Sequence, residues 1–288
     1  MNNKAKNYIN GLSIDVEDYW AILGRDWLNI SEIKPTEAVV RNTEWFLETF
    51  KYFNVKATFF ILGEVAQSFP QLIKTIANEG HEIGVHGFYH RQIFKLSRNE
   101  FKKEVTEAKK LLEDLSSKQV IGHRAPAFSI NKDTQWGLEV LAECGFYYDS
   151  SISPMQGRLY GWPGFKKEIH KLDLRNGHSI IEVPMSTISL GIKELGIGGG
   201  YLRHFPYSYT KCAINYIQKK RPVILYIHPY EINIEQLEMP FDNISIKEKN
   251  KTMKFHNMQF RNRNTVKSKV HSLLKDFKFT RIVDLING

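Results

Sequence analysis

Along this chain, short apolar runs rich in β-branched residues alternate with longer stretches in which apolar positions recur every three or four residues. That is the pattern of repeated βα units around a parallel sheet. Strands are predicted at residues 11–15, 55–62, 81–85, 120–123, 146–149, 179–183, 223–228 and 280–283, and helices at 36–52, 64–78, 98–115, 132–143, 207–219 and 265–276. Pro35 precedes the first helix, Gly80 follows the second, and Ser97 with Glu100 makes a capping-box pattern for the third. Residues 155–171 and 232–254 show little periodicity and read as long loops over a barrel.

Length changes the picture by limiting it to one large core: 288 residues, 42% hydrophobic, suit one α/β barrel-like domain spanning 1–288. Within it, 232–288 reads as a basic C-terminal extension packed on the barrel. The two cysteines, Cys144 and Cys212, have no C-x-x-C spacing and are expected to be reduced, buried thiols. The first ten residues lack the apolar run of a secretory signal, and no stretch approaches the eighteen or so apolar residues of a membrane helix. A cytoplasmic protein without a transmembrane segment is the expectation.

The net charge of +9 is concentrated at the end: residues 246–288 hold eleven Lys or Arg and three acids. Such an excess fits contact with an anionic partner such as a phosphorylated glycan or a lipid phosphate, and fits a solvated face about twice as readily. Nucleic acid also attracts basic clusters, but no nucleic-acid partner is expected.

Candidate chemistry gathers at the predicted strand ends, where the loops of a parallel α/β fold converge. Asp15, His86, Arg124, Asp149 and His228 end or follow five different strands. His86 and His90 are four apart, so both rings can face one metal, although an H-x-x-x-H pair alone suits an ordinary polar loop equally well. Asp15, Glu17 and Asp18 crowd like charges where a buried strand runs out, which calls for a compensating cation or for Arg124. Residues two apart on a strand share a face, which favours Glu17 beside Asp15 as the metal-ligating acid. Asp18 would take that place if the chain turned at Asp15.

Taken together these segments resemble the polysaccharide deacetylase family, carbohydrate esterase family four. The resemblance lies in the order of Ser13-Ile14-Asp15, His86 to His90, Arg124 to Ala127, and Tyr226-Ile227-His228. A bacterial subgroup of that family, found with exopolysaccharide loci and extended at its C-terminus, is similar over nearly the whole chain. Its marks are Asp15-Val16-Glu17-Asp18-Tyr19, Tyr148-Asp149-Ser150-Ser151, Gly198 to Arg203 and Tyr226 to Glu231. The resemblance implies a distorted, incomplete (β/α) barrel and hydrolysis of an N-acyl group on a carbohydrate, with a divalent metal such as zinc.

It further implies Asp15 as general base, Arg124 as its partner, His228 as general acid and Asp149 as the carboxylate holding that imidazole. The backbone N–H of Ala127 would meet the oxyanion, and Gly199, Gly200, Tyr201 and Arg203 would shape the sugar groove. Gly87, Ala127 and Tyr226 depart from the usual residues, which leaves the substrate open. Rival expectations are action on a nucleotide- or lipid-linked monosaccharide, allantoinase-like amide hydrolysis, and glycan binding without catalysis.

Overall fold

The computed structural model describes residues 8–28, 30, 32–157, 160–191, 193–235 and 245–287. Parts of the expected loops at 155–171 and 232–254, and most of the first ten residues, lie outside these.

The main sheet contains β1 (Asn10–Val16), β2 (Thr58–Ile61), β3 (Glu82–Val85), β4 (Gly122–His123), β5 (Tyr148–Asp149), β6 (His170–Asp173) and β7 (Ser179–Glu182). A separate antiparallel hairpin is formed by β8 (Thr187–Leu190) and β9 (Lys193–Gly196), and β10 (Ile224–Ile227) and β11 (Phe279–Thr280) return to the main sheet. Its order is β10-β1-β2-β3-β4-β5-β7-β6, with β11 on β1. All pairs are parallel except β6 with β7. The result is a curled, incomplete (β/α) barrel. Its open side is bridged by hydrogen bonds from Ser186 to Ile224 O and from Gly199 to Tyr226 O.

Two apolar layers follow from strand alternation. Residues such as Ile14, Phe59, Ile61 and Val85 face outward onto the helices, where they meet Phe46, Phe50, Ile73 and Val105. A smaller cluster of Phe60, Tyr148, Val183 and Ile224 fills the barrel interior. Glycines make that filling possible: a Cβ on Gly84 would lie 2.6 Å from the Phe60 ring, and one on Gly122 would lie 2.3 Å from that of Tyr148. The end opposite the strand C-termini is plugged by the helix Ile282–Asn287, whose first amides donate to Thr58 Oγ1 and Glu82 Oε2. This docking explains why the predicted strand at 280–283 stops after Thr280: polar partners inside the barrel capture helix-start N–H groups, overriding β-branched propensity.

Other expectations are corrected in detail. Pro70 breaks the helix predicted at 64–78 into Gly63–Ser68 and Pro70–Asn78. Helix Tyr19–Trp27 forms where no element was predicted, and helix Ile246–Phe260 begins inside the loop expected at 232–254. The second of these buries only Thr252 and His256, so its sequence shows no apolar stripe to read. Cys144 is half-buried and Cys212 exposed, contrary to the expected burial of both thiols. The helix Val266–Asp276 packs Val266, Val270, Leu273 and Leu274 into the main core. No helix among the described residues is long and apolar enough to cross a membrane.

Candidate metal centre and active site

Parallel pairing in register brings the C-terminal ends of β1, β3, β4 and β10 to one face. Glu17 follows β1, and its Oε2 lies 3.2 Å from His86 Nε2 and 2.9 Å from His90 Nε2. Together the three offer ligand atoms within 4.8 Å of one another, all on buried residues. His90 reaches this point because it takes the left-handed conformation at φ 56°, turning the loop back after Gly87. His86 Nδ1 is 2.8 Å from the carbonyl of Arg124; donation there leaves Nε2 with its lone pair directed at Glu17. Two imidazole nitrogens and a carboxylate converging on one point, with the second nitrogen of one ring already engaged, are a donor set that could hold a divalent metal. Burial opposes ionisation of Glu17, but the neighbouring His90, His228 and His86 outweigh it and hold its carboxyl well below the usual range.

Asp15 lies beside this triad. Arg124 Nη1 donates to Asp15 Oδ1 at 2.7 Å and to Ser13 Oγ at 2.6 Å, while Nη2 and Nε are taken by Ser150. The guanidinium is fully buried and sits 4.3 Å from the Phe60 ring centroid. A buried pair of this kind persists only with its remaining donors satisfied, as they are here.

A cavity of about 380 Å³ opens above these groups, lined among others by Asp15, Glu17, Ala127, Tyr201, His228 and Phe255. His228 Nε2 points toward Glu17 Oε1 at 3.6 Å, and its Nδ1 lies 3.1 Å from Glu231 Oε2. Burial would lower the imidazole, but the two carboxylates outweigh it and push it up to about 9. For Glu231, burial is likewise overcome by His228 and Arg203, and its carboxyl is lowered.

Residues 34–148 match the model of the polysaccharide deacetylase family, and residues 150–287 match a domain of unknown function, DUF3473. Residues 34–148 are thus a deacetylase-like segment by similarity. A peptidoglycan-N-acetylglucosamine deacetylase of Bacillus cereus is 42% identical over 74 residues, 26% of this chain and 27% of its own length. A peptidoglycan deacetylase of Helicobacter pylori is 30% identical over 106 residues, 37% of this chain and 35% of its own length. The chain thus spans about a third or less of these curated relatives. A Mycobacterium smegmatis structure described as a polysaccharide deacetylase shares the fold, with a TM-score of 0.58, 22% identity and 79% coverage of each chain.

The deacetylase segment supplies His86, His90 and Arg124, whereas His228 and Glu231 belong to the region of unknown function. Against this division several expectations change. Asp149 does not hold His228: β5 pairs with β4, four strands from β10, and Asp149 sits at the register position of His123. Its Oδ1 is 2.7 Å from His123 Nδ1 and accepts from Ser151 Oγ, which in turn accepts from the Ala125 N–H. Asp149 therefore braces the loop carrying Arg124 and Ala127. Burial, with Asp149 alongside, pushes neighbouring Glu182 well above the usual carboxylate range.

Asp18 is absent from the ligand cluster. Its Oδ1 caps helix Tyr19–Trp27 by accepting from Ala21 N, and its Oδ2 accepts from the Thr36 N–H and hydroxyl. Both oxygens are consumed, which turns the carboxylate away from the histidines. Ala127 lines the cavity at φ 52°. Gly200, Tyr201 and Arg203 also line it, whereas Gly199, at φ 51°, is pressed against the Tyr226 ring. Glu231 is the functional candidate that sequence reasoning missed. The signal was present: Pro229 and Glu231 after His228 make the helix-start pattern in which the third residue reaches back to the cap.

Proposed function

We propose that this chain hydrolyses an N-acyl group, N-acetyl first among them, on a glycan or sugar conjugate. The observation that carries the proposal is the convergence of Glu17, His86 and His90 beside the Asp15–Arg124 pair, with His228 across the same cavity. A divalent cation held by Glu17, His86 and His90, zinc or a similar ion, supplies Lewis-acid polarisation of water and of the acyl carbonyl.

The remaining steps belong to the chain. Asp15, kept in place by Arg124, accepts the proton of the attacking water. The backbone N–H of Ala127, on the loop braced by Asp149, faces the developing oxyanion. His228, holding a proton on the cavity side, donates it to the departing amine. Atoms balance: the acyl carbon gains the water oxygen, its bond to nitrogen breaks, and the amine leaves with the proton from His228.

Support for a carbohydrate substrate comes from the deacetylase segment and from the relatives named as acting on peptidoglycan N-acetylglucosamine. An exopolysaccharide is the polymer this reading favours, and a nucleotide- or lipid-linked sugar is its main rival. The test is acetate and formate release from a panel of N-acetylated glucosamine oligomers, exopolysaccharide fragments and sugar nucleotides. Release from at least one class, abolished by chelator, is the expected result. No release from any class would refute the proposal.

A further inference from the structure

The region of unknown function ends in helices that reach the acid side of the cavity, where Gln259, Arg203 and Glu231 are among the lining residues, and the contacts form a continuous chain. Gln259, on helix Ile246–Phe260, accepts from Arg203 Nη2 at 3.0 Å. Arg203, 3% exposed, brings Nη1 to 3.5 Å from Glu231 Oε1, itself 1% exposed. The other oxygen of Glu231 meets the His228 N–H at 3.2 Å and its Nδ1 at 3.1 Å. Nothing in this chain of contacts comes from the deacetylase segment.

Two further contacts brace it. Lys269 donates from Nζ to the carbonyls of Leu202, Arg203 and Phe205, tying down the short helix that presents Arg203. The Arg263 guanidinium sits 3.8 Å from the Phe260 centroid and 5.2 Å from that of Tyr230, and the Tyr230 ring stacks on His228 at 4.9 Å and 13°. Two tail cations that read as surface charge in the sequence, Arg263 and Lys269, are thus committed to internal partners, whereas Arg281 pairs with Asp284 at the surface.

We infer that the C-terminal helical region fixes the imidazole of His228, acting through Gln259, Arg203 and Glu231. The physical case is that a buried carboxylate stays ionised and in place only when charge and hydrogen bonds compensate it. Arg203 provides the charge, and Gln259 fixes the rotamer of an otherwise flexible side chain. With Glu231 held, His228 Nδ1 has one acceptor, so its Nε2 is kept aimed into the cavity beside Glu17. Glu231, Arg203 and Gln259 are positioning residues. What the positioned imidazole does rests on the proposed hydrolysis, but its orientation does not.

The experiment reads the ring directly. Full-length protein labelled with ¹⁵N-histidine and supplied with one equivalent of zinc gives long-range ¹H–¹⁵N spectra in which the His228 signals are those lost in His228→Gln. Wild type is expected to show the Nδ1–H as a hydrogen-bonded, downfield-shifted ring proton, with Nε2 protonated as well, as the acid role requires. Glu231→Gln, Arg203→Met and Gln259→Leu are expected to lose that hydrogen-bonded Nδ1–H signature, in decreasing order. On a substrate that the wild type hydrolyses, kcat should fall about 10²-fold for Glu231→Gln and about 10-fold for Gln259→Leu, with KM little changed.

His228 ring signals in Gln259→Leu and Arg203→Met that superimpose on wild type overturn the inference. Unaltered signals in Glu231→Gln overturn it as well. Gln259 is only half-buried, so its variant folds even if Arg203→Met does not. A wild type that hydrolyses nothing refutes the proposed activity and leaves the ring signals to decide this inference.

Discussion

The two walls of the cavity are built by different means. On the metal side, Asp15, Glu17, His86 and Arg124 project from the ends of strands whose parallel register sets their spacing. On the acid side, only His228 follows a strand; Glu231, Arg203 and Gln259 come from helices and short turns joined by side-chain contacts. A backbone ladder positions groups through many cooperative hydrogen bonds, whereas a side-chain relay depends on each member. The metal side should therefore tolerate change around it and fail only at its ligands and at Asp15, while the acid side should degrade by steps.

The largest effect expected is at the ligands. His86→Ala or His90→Ala should abolish both metal content and turnover, because the loss of one of three protein ligands leaves the ion weakly held. Elemental analysis showing full occupancy in both variants would remove them from the site.

Next come the proposed proton-transfer groups, one on each wall. Asp15→Asn and His228→Ala should keep the fold and much of the metal yet lower kcat by roughly 10²- to 10⁴-fold. A variant turning over near the wild-type rate would take that residue out of the mechanism.

A third prediction separates the stability of the barrel from the chemistry at its mouth. His81 lies at the opposite end of β3, 1% exposed, with Nδ1 accepting from the Ala57 N–H. Burial first, and the nearby Lys56 charge second, lower it to about 4. A histidine depressed in the fold stays neutral there while the unfolded chain binds a proton below about 6.5. Stability should be unaffected by His81 above that pH and should fall as pH drops from about 6.5 toward 4, by up to about 3 kcal/mol. Chemical denaturation of wild type and His81→Gln across this range checks it; parallel pH profiles would show that His81 is not the source.

The smallest effect is at Asp18, and its contrast with Glu17 distinguishes the adjacent acids. Glu17→Gln should weaken metal binding by a large factor. Asp18→Asn should leave it nearly unchanged and cost about 1 kcal/mol through the weakened helix cap. A reversed order in metal affinity would make Asp18 the ligand.

The same division explains what could be read before the structure. Asp15, His86 and Arg124 were legible because a strand end is a local feature, visible where an apolar run stops. Glu17 followed from side-chain alternation near the end of β1. The hairpin of β8 and β9, half exposed, offered no apolar run, and helix Ile246–Phe260 offered no stripe. Asp149 was assigned to the wrong imidazole because pairing between strands far apart in sequence cannot be read from residue order, and β4 rather than β10 is its neighbour. Glu231 escaped, and Arg203 was read only as part of the sugar groove, for a related reason: the two meet each other across 28 residues of chain.

The most direct test of the account is metal titration of chelator-stripped protein with acetate release as readout, using whichever N-acetylated glycan the wild type hydrolyses. Wild type should be inactive when stripped and recover with one equivalent of divalent ion, while Asp15→Asn binds the same equivalent without recovering turnover. Full turnover by stripped protein, or recovery by Asp15→Asn equal to that of wild type, would contradict it.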